Sequence, residues 1–457
     1  MATATQDRNG LREIAGEVFW QGEAGYEEAR GAAVWRANKP ARYPRVIVVA
    51  ADCADVVAAV RHAADNGLKV GVRSGGHSWT SPHLRDEAML IDVSRLNSIE
   101  VDGTTQHVWV GPGAKGEKVN DALKPHGLMV PTGHHSTVAV GGFLMCGGFG
   151  WNSRLWGNGC AQICAVEVVT ATGALIYADE HQNTDFLWAV RGAGAGYFGV
   201  VTRFKLTAHR LPSVMKSSVY VYPADVLEDL LTWAREIVAQ VPPYVELVIT
   251  STAHDADGNW APVRLTLSAL AITDSEAQAD EALSLFERCP VVDRATKRRA
   301  FQPTNLTERY VSGTAADPVG YRYACDNLYT NAPASELIPK MRELFTSLPT
   351  PRSHVFWFNW GPVKPLGDMV LSVQGDIYLG AYSIWSDPAE DAAMEAWPVE
   401  QMRKLEALSA GGQMNDENML ARPEKYLSDE VSDKLEGLRA IHDPDRVFLS
   451  FLIAESR

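Results

Sequence analysis

The sequence predicts an α+β protein in two parts: an N-terminal half that the C-terminal tail rejoins, and a second domain of antiparallel sheet backed by helices. Three observations lead there. Residues 46–73 read as strand, helix, strand. From residue 212 the pattern changes to long alternating strands interleaved with amphipathic helices. Residues 416–457 then hold one helix, a proline break and the short apolar run RVFLSFL, a tail of the kind that folds back. The expected boundaries are 1–211 for the first domain, 212–415 for the second and 416–457 for the returning segment.

Taken in order, residues 10–40 read as polar and helical. VIVVA is a β-branched run of strand length. Behind a capping Asp52 or Asp55, Val56, Val57, Val60 and Ala64 recur at helical spacing. Gly67 closes that helix and LKVGVR resumes a strand. Such a crossover predicts a mixed or parallel first sheet. Strands AMLIDV, SIEVD and HVWVG follow, then a helix from Glu117 to Pro125 and a glycine-rich stretch from Gly133 to Gly159. AVEVVTA and ALIYA form strands around Thr172-Gly173. A helix, a glycine loop and a strand over DFLWAVRGAGAGYFGVVTRFKLTAHRLP end this half. In the second half, SVYVYP, VELVITST, VRLTLSALAI, HVFWFNWG and DIYLGAYSIW are strands between helices such as ADVLEDLLTWAREIVAQV and SEAQADEALSLFERC. The final helix is SDEVSDKLEGLRAIHD.

Composition narrows the function. The chain has 457 residues, 42 Lys+Arg against 56 Asp+Glu, and a net charge of −14. That balance argues against binding nucleic acid or an anionic membrane surface, which needs positive charge. No apolar run reaches the length of a membrane span or a signal peptide. The 6 cysteines are too sparse for a disulfide framework, so reduced thiols and a cytoplasmic location are expected. Cys160 and Cys164, with His181 further on, lack the extra ligands a zinc site needs, and no metal is expected. The 13 Trp, 14 Tyr and 13 Phe suit pockets for flat ligands as well as cores.

Three motifs carry chemistry. Arg73-Ser74-Gly75-Gly76-His77-Ser78 follows a strand. Adjacent glycines let successive N–H groups point into one anion-binding concavity, and His77 leaves the turn as a potential nucleophile. The second motif runs Pro131 to Gly150 and holds Gly133, Gly141, Gly142, Gly147, Gly148 and Gly150, so backbone can press against an extended flat ligand. The third is Trp188 to Thr202. Gly111-Pro112-Gly113-Ala114-Lys115-Gly116 fits a dinucleotide-binding string, but Pro112 removes an N–H where phosphate needs one and no acidic residue follows at the ribose position. It reads as a turn.

Together RSGGHS, LIDVSRLNSI, GGF…GGFGW and DFLWAVRGAG…FGVVT resemble the flavin oxidoreductases of the vanillyl-alcohol-oxidase superfamily, in the berberine-bridge-enzyme-like branch. The likeness runs in order over residues 40–208 and resumes at His442–Phe448. It implies that the N-terminal half and the tail bind FAD, covalently through His77. It also implies that Arg73, Ser74, Gly75, Gly76, His77 and Ser78 wrap the pyrophosphate. Thr132, Gly133, His134, His135, Val138, Gly141, Gly142, Gly147, Gly148, Val200 and Val201 would line the dinucleotide. Many relatives carry a second tether, a cysteine, where this chain has His135, so a single link is expected. His134 and His135 either sit near the ring or satisfy local hydrogen bonds. The family's Asn-Tyr pair before the last helix is missing at Ser428–Ser432.

The implied reaction is hydride transfer from a substrate C–H to the flavin, a base taking the adjacent O–H or N–H proton. Dioxygen is the expected acceptor, so an oxidase is favoured over a dehydrogenase. Candidate bases are Tyr310, Tyr323, Tyr329, His354, Tyr378 and Tyr382. By the two-residue strand period, Phe356, Phe358 and Trp360 share one face and Trp357 and Asn359 the other. A small alcohol, amine, sugar or phenolic substrate is expected. The alternatives are an oxidative cyclase or multi-step oxidase of secondary metabolism, and a non-catalytic flavin carrier. Oligomeric state stays open.

Overall fold

The computed structural model describes residues 9–361 and 364–452, so residues 1–8, 362–363 and 453–457 of the expected domains lie outside it. The first sheet joins β1 (Glu17–Trp20), β2 (Val46–Val49), β3 (Val70–Arg73) and β4 (Met89–Asp92) in the order β1-β2-β4-β3. The helix between β2 and β3, Cys53–Asp65, is capped by the Asp52 carboxylate, which accepts from the Asp55 amide. Residues 10–40 depart from the helical expectation. They hold β1 and the short helix Tyr26–Ala32, because β1 finds an antiparallel partner in β2 that local pattern does not reveal.

The chain continues through β5 (Ile99–Asp102), β6 (His107–Val110), the two-residue β7 (Leu128–Met129), β8 (Ile163–Thr170), β9 (Leu175–Ala178), β10 (Gly199–Thr207) and β11 (His209–Arg210). Five of these form an antiparallel sheet, β5-β6-β10-β8-β9, while β7 pairs with β11. Val169 and Val200 of this second sheet pack with Val48, Val60 and Ile91 of the first layer, and Val447 and Phe448 of the tail join the same core. The tail is tied by backbone: Val70 donates to the Val447 carbonyl and accepts from the Leu449 amide.

The third sheet contains β12 (Val214–Pro223), β13 (Val245–His254), β14 (Trp260–Thr273), β15 (Lys297–Pro303), β16 (Arg322–Thr330), β17 (His354–Asn359) and β18 (Ile377–Trp385). Its order is β15-β12-β14-β13-β17-β18-β16, antiparallel throughout. Side chains alternate between its faces. Leu247, Ile249, Leu267, Trp357 and Leu379 sink into a core with Leu230, Leu231, Phe286, Phe345 and Met402 from the covering helices. Each such burial stabilises by roughly 1.5–3 kcal/mol. The intervening positions of the same strands turn away from the helices and wall a cavity.

Candidate active site

That cavity has a volume of about 900 Å³. On one side stand the turn after β3, the 133–142 segment, residues 194–201 and the tail at 448–451; on the other stand β13, β14, β17 and β18. The turn is built for close approach. Gly76 has φ 71°, and a Cβ there would lie 2.4 Å from the Ala33 carbonyl oxygen. Arg73 is locked beneath it by two bonds to Asp92 (2.9 and 2.7 Å) and one to the Ala32 carbonyl (3.0 Å). Among the described residues, no acceptor meets the amides of Ser74, Gly75, Gly76, His77 or Ser78. A half-buried row of unaccepted amides is what a diphosphate requires. Gly142, whose amide donates to Ser74 Oγ at 3.1 Å, leaves the wall beside the turn bare: a Cβ there would meet nothing nearer than Ser74 Oγ at 3.9 Å.

His77 stands at the end of this cradle, its ring stacked on Trp35 at 4.7 Å. Its Nε2 lies 2.9 Å from Thr137 Oγ1, which lies 2.9 Å from His135 Nδ1. The other nitrogen of His135 is 3.1 Å from the Asp317 carbonyl oxygen. Burial pushes the His77 imidazole well below its usual range, so it is neutral at neutral pH.

On the sheet side, Tyr378 and Tyr382 project from β18 with Gly380 between them. A Cβ at Gly380 would come within 2.8 Å of the Tyr382 ring and 2.9 Å of the Tyr378 hydroxyl, so only glycine lets the two hydroxyls meet, at 3.0 Å. Both approach Asp416 Oδ2, Tyr378 at 2.6 Å and Tyr382 at 3.1 Å, and Trp79 Nε1 donates to Oδ1 at 2.6 Å. Burial, then the charge of Asp416, hold both phenols well above their usual range. His354 stacks on Tyr382 at 4.8 Å.

Asp416 belongs to a loop strapped to the edge strand β16. Asn327 Nδ2 donates to the carbonyls of Gln413 (3.0 Å) and Asp416 (2.8 Å), and the Gln413 amide donates to Asn327 Oδ1 at 2.6 Å. Arg422, 2% exposed, forms a bidentate pair with the fully buried Asp326 (2.7 and 2.8 Å). Ser428, by contrast, caps the last helix, Asp429–His442, and does not line the cavity. From this part of the chain, Gln413–Glu417 reach it instead.

Of the candidate cofactor residues, Arg73 to Ser78, Gly133, His134, His135, Val138, Gly141, Gly142 and Val201 line the cavity. Four do not. Thr132 turns its hydroxyl to Tyr310 (2.5 Å) and Asn120 (2.9 Å), and Val200 is buried between the two sheets. Gly147 and Gly148 have positive φ and pack against Leu371 and Gly159. Among the candidate bases, His354, Tyr378 and Tyr382 line the cavity, while Tyr310, Tyr323 and Tyr329 do not. Tyr310 is spent on Thr132, Tyr323 donates to the Pro318 carbonyl at 2.6 Å, and Tyr329 is buried beside Phe358 and Trp360. The sequence reading missed Asp416, Trp79, Asp317 and Glu246, all on the cavity wall.

Comparison with known proteins adds identity to geometry. Residues 44–179 match the model of an FAD binding domain. The chain is 29% identical to the FAD-linked oxidoreductase nodO of Hypoxylon pulicicidum, over 94% of this chain and 95% of that protein. The chain is an FAD-dependent oxidoreductase with the fold of the vanillyl-alcohol-oxidase superfamily. The fold of this oxidoreductase superposes on 6-hydroxy-D-nicotine oxidase from Arthrobacter nicotinovorans with a TM-score of 0.82 (21% identity, 95% of this chain and 97% of that one). For berberine bridge enzyme from Eschscholzia californica the TM-score is 0.80 (16% identity, 100% and 99%). The residues of the oxidoreductase fit FAD: the unaccepted amides suit its diphosphate and the bare wall at Gly142 its extended body. No helix among the described residues is long and apolar enough to cross a membrane. No group of three or more His, Cys, Asp or Glu among them suits a metal ion.

Proposed function

We propose that this oxidoreductase is an oxidase of a small alcohol, amine, sugar or phenolic compound, with FAD bonded to His77 and dioxygen as the electron acceptor. The observation that carries it is the Tyr378–Tyr382–Asp416 cluster, which faces the glycine-rich wall across the cavity. Bound along that wall, FAD supplies a two-electron centre that accepts hydride. The chain supplies the proton handling. A phenol oxygen of the pair takes the substrate O–H or N–H proton while its own hydrogen passes to Asp416 Oδ2; Trp79 holds the other carboxylate oxygen in place. The substrate wall is two-faced. Phe149, Trp151, Phe356 and Phe358 offer aromatic surface, and Thr250, Thr252, Thr266 and Ser268 offer hydroxyls from alternate positions of β13 and β14.

A single link through His77 is part of this reading. Cys146 lines the cavity, but burial pushes its thiol up to about 12, so it lacks the thiolate a second link requires. Residues 1–211 with 416–457 are read as the flavin part and 212–415 as the substrate part, supported by β12–β18 forming one sheet and by the tail bonding to Val70. The aromatic side of the wall, Phe149, Trp151, Phe356 and Phe358, favours oxidative cyclisation of a polycyclic compound as the second reading. The test is a substrate panel mixed anaerobically with the holoenzyme. Bleaching of the flavin absorbance, followed by peroxide on admitting air, supports the oxidase. A carbonyl or imine product marks simple oxidation, and a product lighter by two hydrogens with a new ring marks cyclisation. Bleaching without peroxide in air overturns dioxygen as acceptor.

A further inference from the structure

The hydrogens along the chain His77–Thr137–His135 can be assigned from the partners at its ends. The Asp317 carbonyl only accepts, so His135 Nε2, 3.1 Å away, carries a hydrogen. The Thr137 amide only donates, and it points at His135 Nδ1 from 3.2 Å, so that nitrogen holds a lone pair. The Thr137 hydroxyl, also 2.9 Å from this lone pair, must donate to it; the opposite orientation would set two lone pairs against each other. Its oxygen is then an acceptor for His77 Nε2 at 2.9 Å. The assignment that satisfies every contact puts the hydrogen of His77 on Nε2 and its lone pair on Nδ1.

We propose that Thr137 and His135 form a proton relay that prepares His77 for its bond to the flavin, holding Nδ1 as the free nucleophile and removing the Nε2 proton as the bond forms. The inference rests on the covalent attachment proposed above. The bond made joins His77 Nδ1 to the flavin 8α carbon; the bonds broken are one C–H of that methyl group and the Nε2–H of His77. Two electrons and two protons leave overall, and dioxygen takes them as hydrogen peroxide. Nδ1 becomes cationic as it alkylates, which makes Nε2–H acidic. That proton has a path already in hydrogen-bond contact: to Thr137 Oγ1, whose own hydrogen passes to His135 Nδ1. Burial pushes the His135 imidazole down, and the Asp317 carbonyl, which accepts its Nε2–H, and then the Asp317 carboxyl act against that shift by favouring the imidazolium. Both residues are positioning residues, since neither needs to touch the flavin. Trp35 packs against both rings, stacked on His77 and edge-on to His135 at 5.3 Å, which holds the pair in register.

The test measures covalent attachment rather than turnover. Full-length protein is prepared without flavin, mixed with FAD in air, and sampled over time by acid precipitation and in-gel fluorescence. Thr137→Val and His135→Phe are expected to slow attachment by about ten-fold or more, while FAD still binds and is released by acid. Thr137→Ser, which keeps the hydroxyl, is expected to restore the wild-type rate. In the unmutated protein, nuclear magnetic resonance of the flavinylated peptide is expected to show the bond at Nδ1. A bond at Nε2, or Thr137→Val attaching at the wild-type rate, overturns the relay. If the unmutated protein never acquires acid-stable flavin, the attachment reading itself fails, a result distinct from either of those.

Discussion

Tyr378 donates to Asp416 across 2.6 Å, joining the start of β18 in the third sheet to a segment that precedes the last helix. The contact places a carboxylate behind a phenol on the cavity wall, the arrangement from which the proposed proton transfer follows. Removing that acceptor is the direct test. Asp416→Asn is expected to lower kcat/KM by about 10²–10⁴-fold, the range for a lost acid–base group. Flavin content should stay unchanged by absorbance. Tyr378→Phe should lower kcat in the same direction; a variant of full activity would remove the cluster from the mechanism.

Gly380 sets the spacing of the two tyrosines. Gly380→Ala puts a methyl group against the Tyr382 ring and the Tyr378 hydroxyl. The expected cost is about 1–3 kcal/mol of stability by overpacking, read by urea unfolding. The fall in kcat should be out of proportion to that cost, because the pair loses contact with Asp416.

His77→Ala is expected to yield protein whose flavin, if retained, is wholly released by acid. Unmutated protein should give a yellow acid pellet. Colour surviving acid in the variant would move the link to another residue.

The Asp326–Arg422 pair holds the Asp416 loop from inside the protein. Arg422→Met leaves a buried carboxylate unpaired and should cost about 3–5 kcal/mol in chemical denaturation. The double variant Asp326→Leu with Arg422→Met should recover part of that loss, because the Asp326 carboxylate is no longer stranded, while Glu424, 2.6 Å from Arg422, loses its partner in both variants. Equal losses in the single and double variants would contradict this account.

Acid stability follows from His83. The ring is buried, Nε2 faces the Ala33 carbonyl at 3.0 Å, and burial, followed by Arg73, pushes its pKa down to about 3. Below about 6.5 the unfolded chain binds a proton here that the folded chain does not. Folding stability therefore falls as pH drops from about 6.5 toward 3, by up to roughly 1.4 kcal/mol per pH unit for this group. Chemical denaturation of His83→Gln across that range should show a shallower loss than the parent; an identical slope would exclude His83 as the source.

Local pattern carried much of the fold because each signal is local physics. The Asp52 cap, the helical spacing of Val56 and Val60, and the alternation along β13, β17 and β18 are decided by neighbours a few residues away. The paired glycines before His77 likewise marked a turn that only small residues allow. Strand period put Phe356 and Phe358 on one face and Trp357 on the other, but period alone does not say which face meets helices and which meets a cavity.

Long-range pairing decided the rest. β4 inserts between β2 and β3, so the strands flanking the first helix are not neighbours, and β1 exists because β2 offers it an edge. The same packing sorted six candidate bases into three that meet the cavity and three that spend their hydroxyls or burial elsewhere. Asp416 was invisible beforehand because a loop has no periodicity; its place depends on Asn327 and Asp326, some ninety residues earlier. The sequence by itself determined most elements beyond residue 40, the glycine turn after β3 and the histidine that ends it. Only the tertiary structure brought Asp416 to Tyr378 and Tyr382, since that depends on which distant side chains share one buried space.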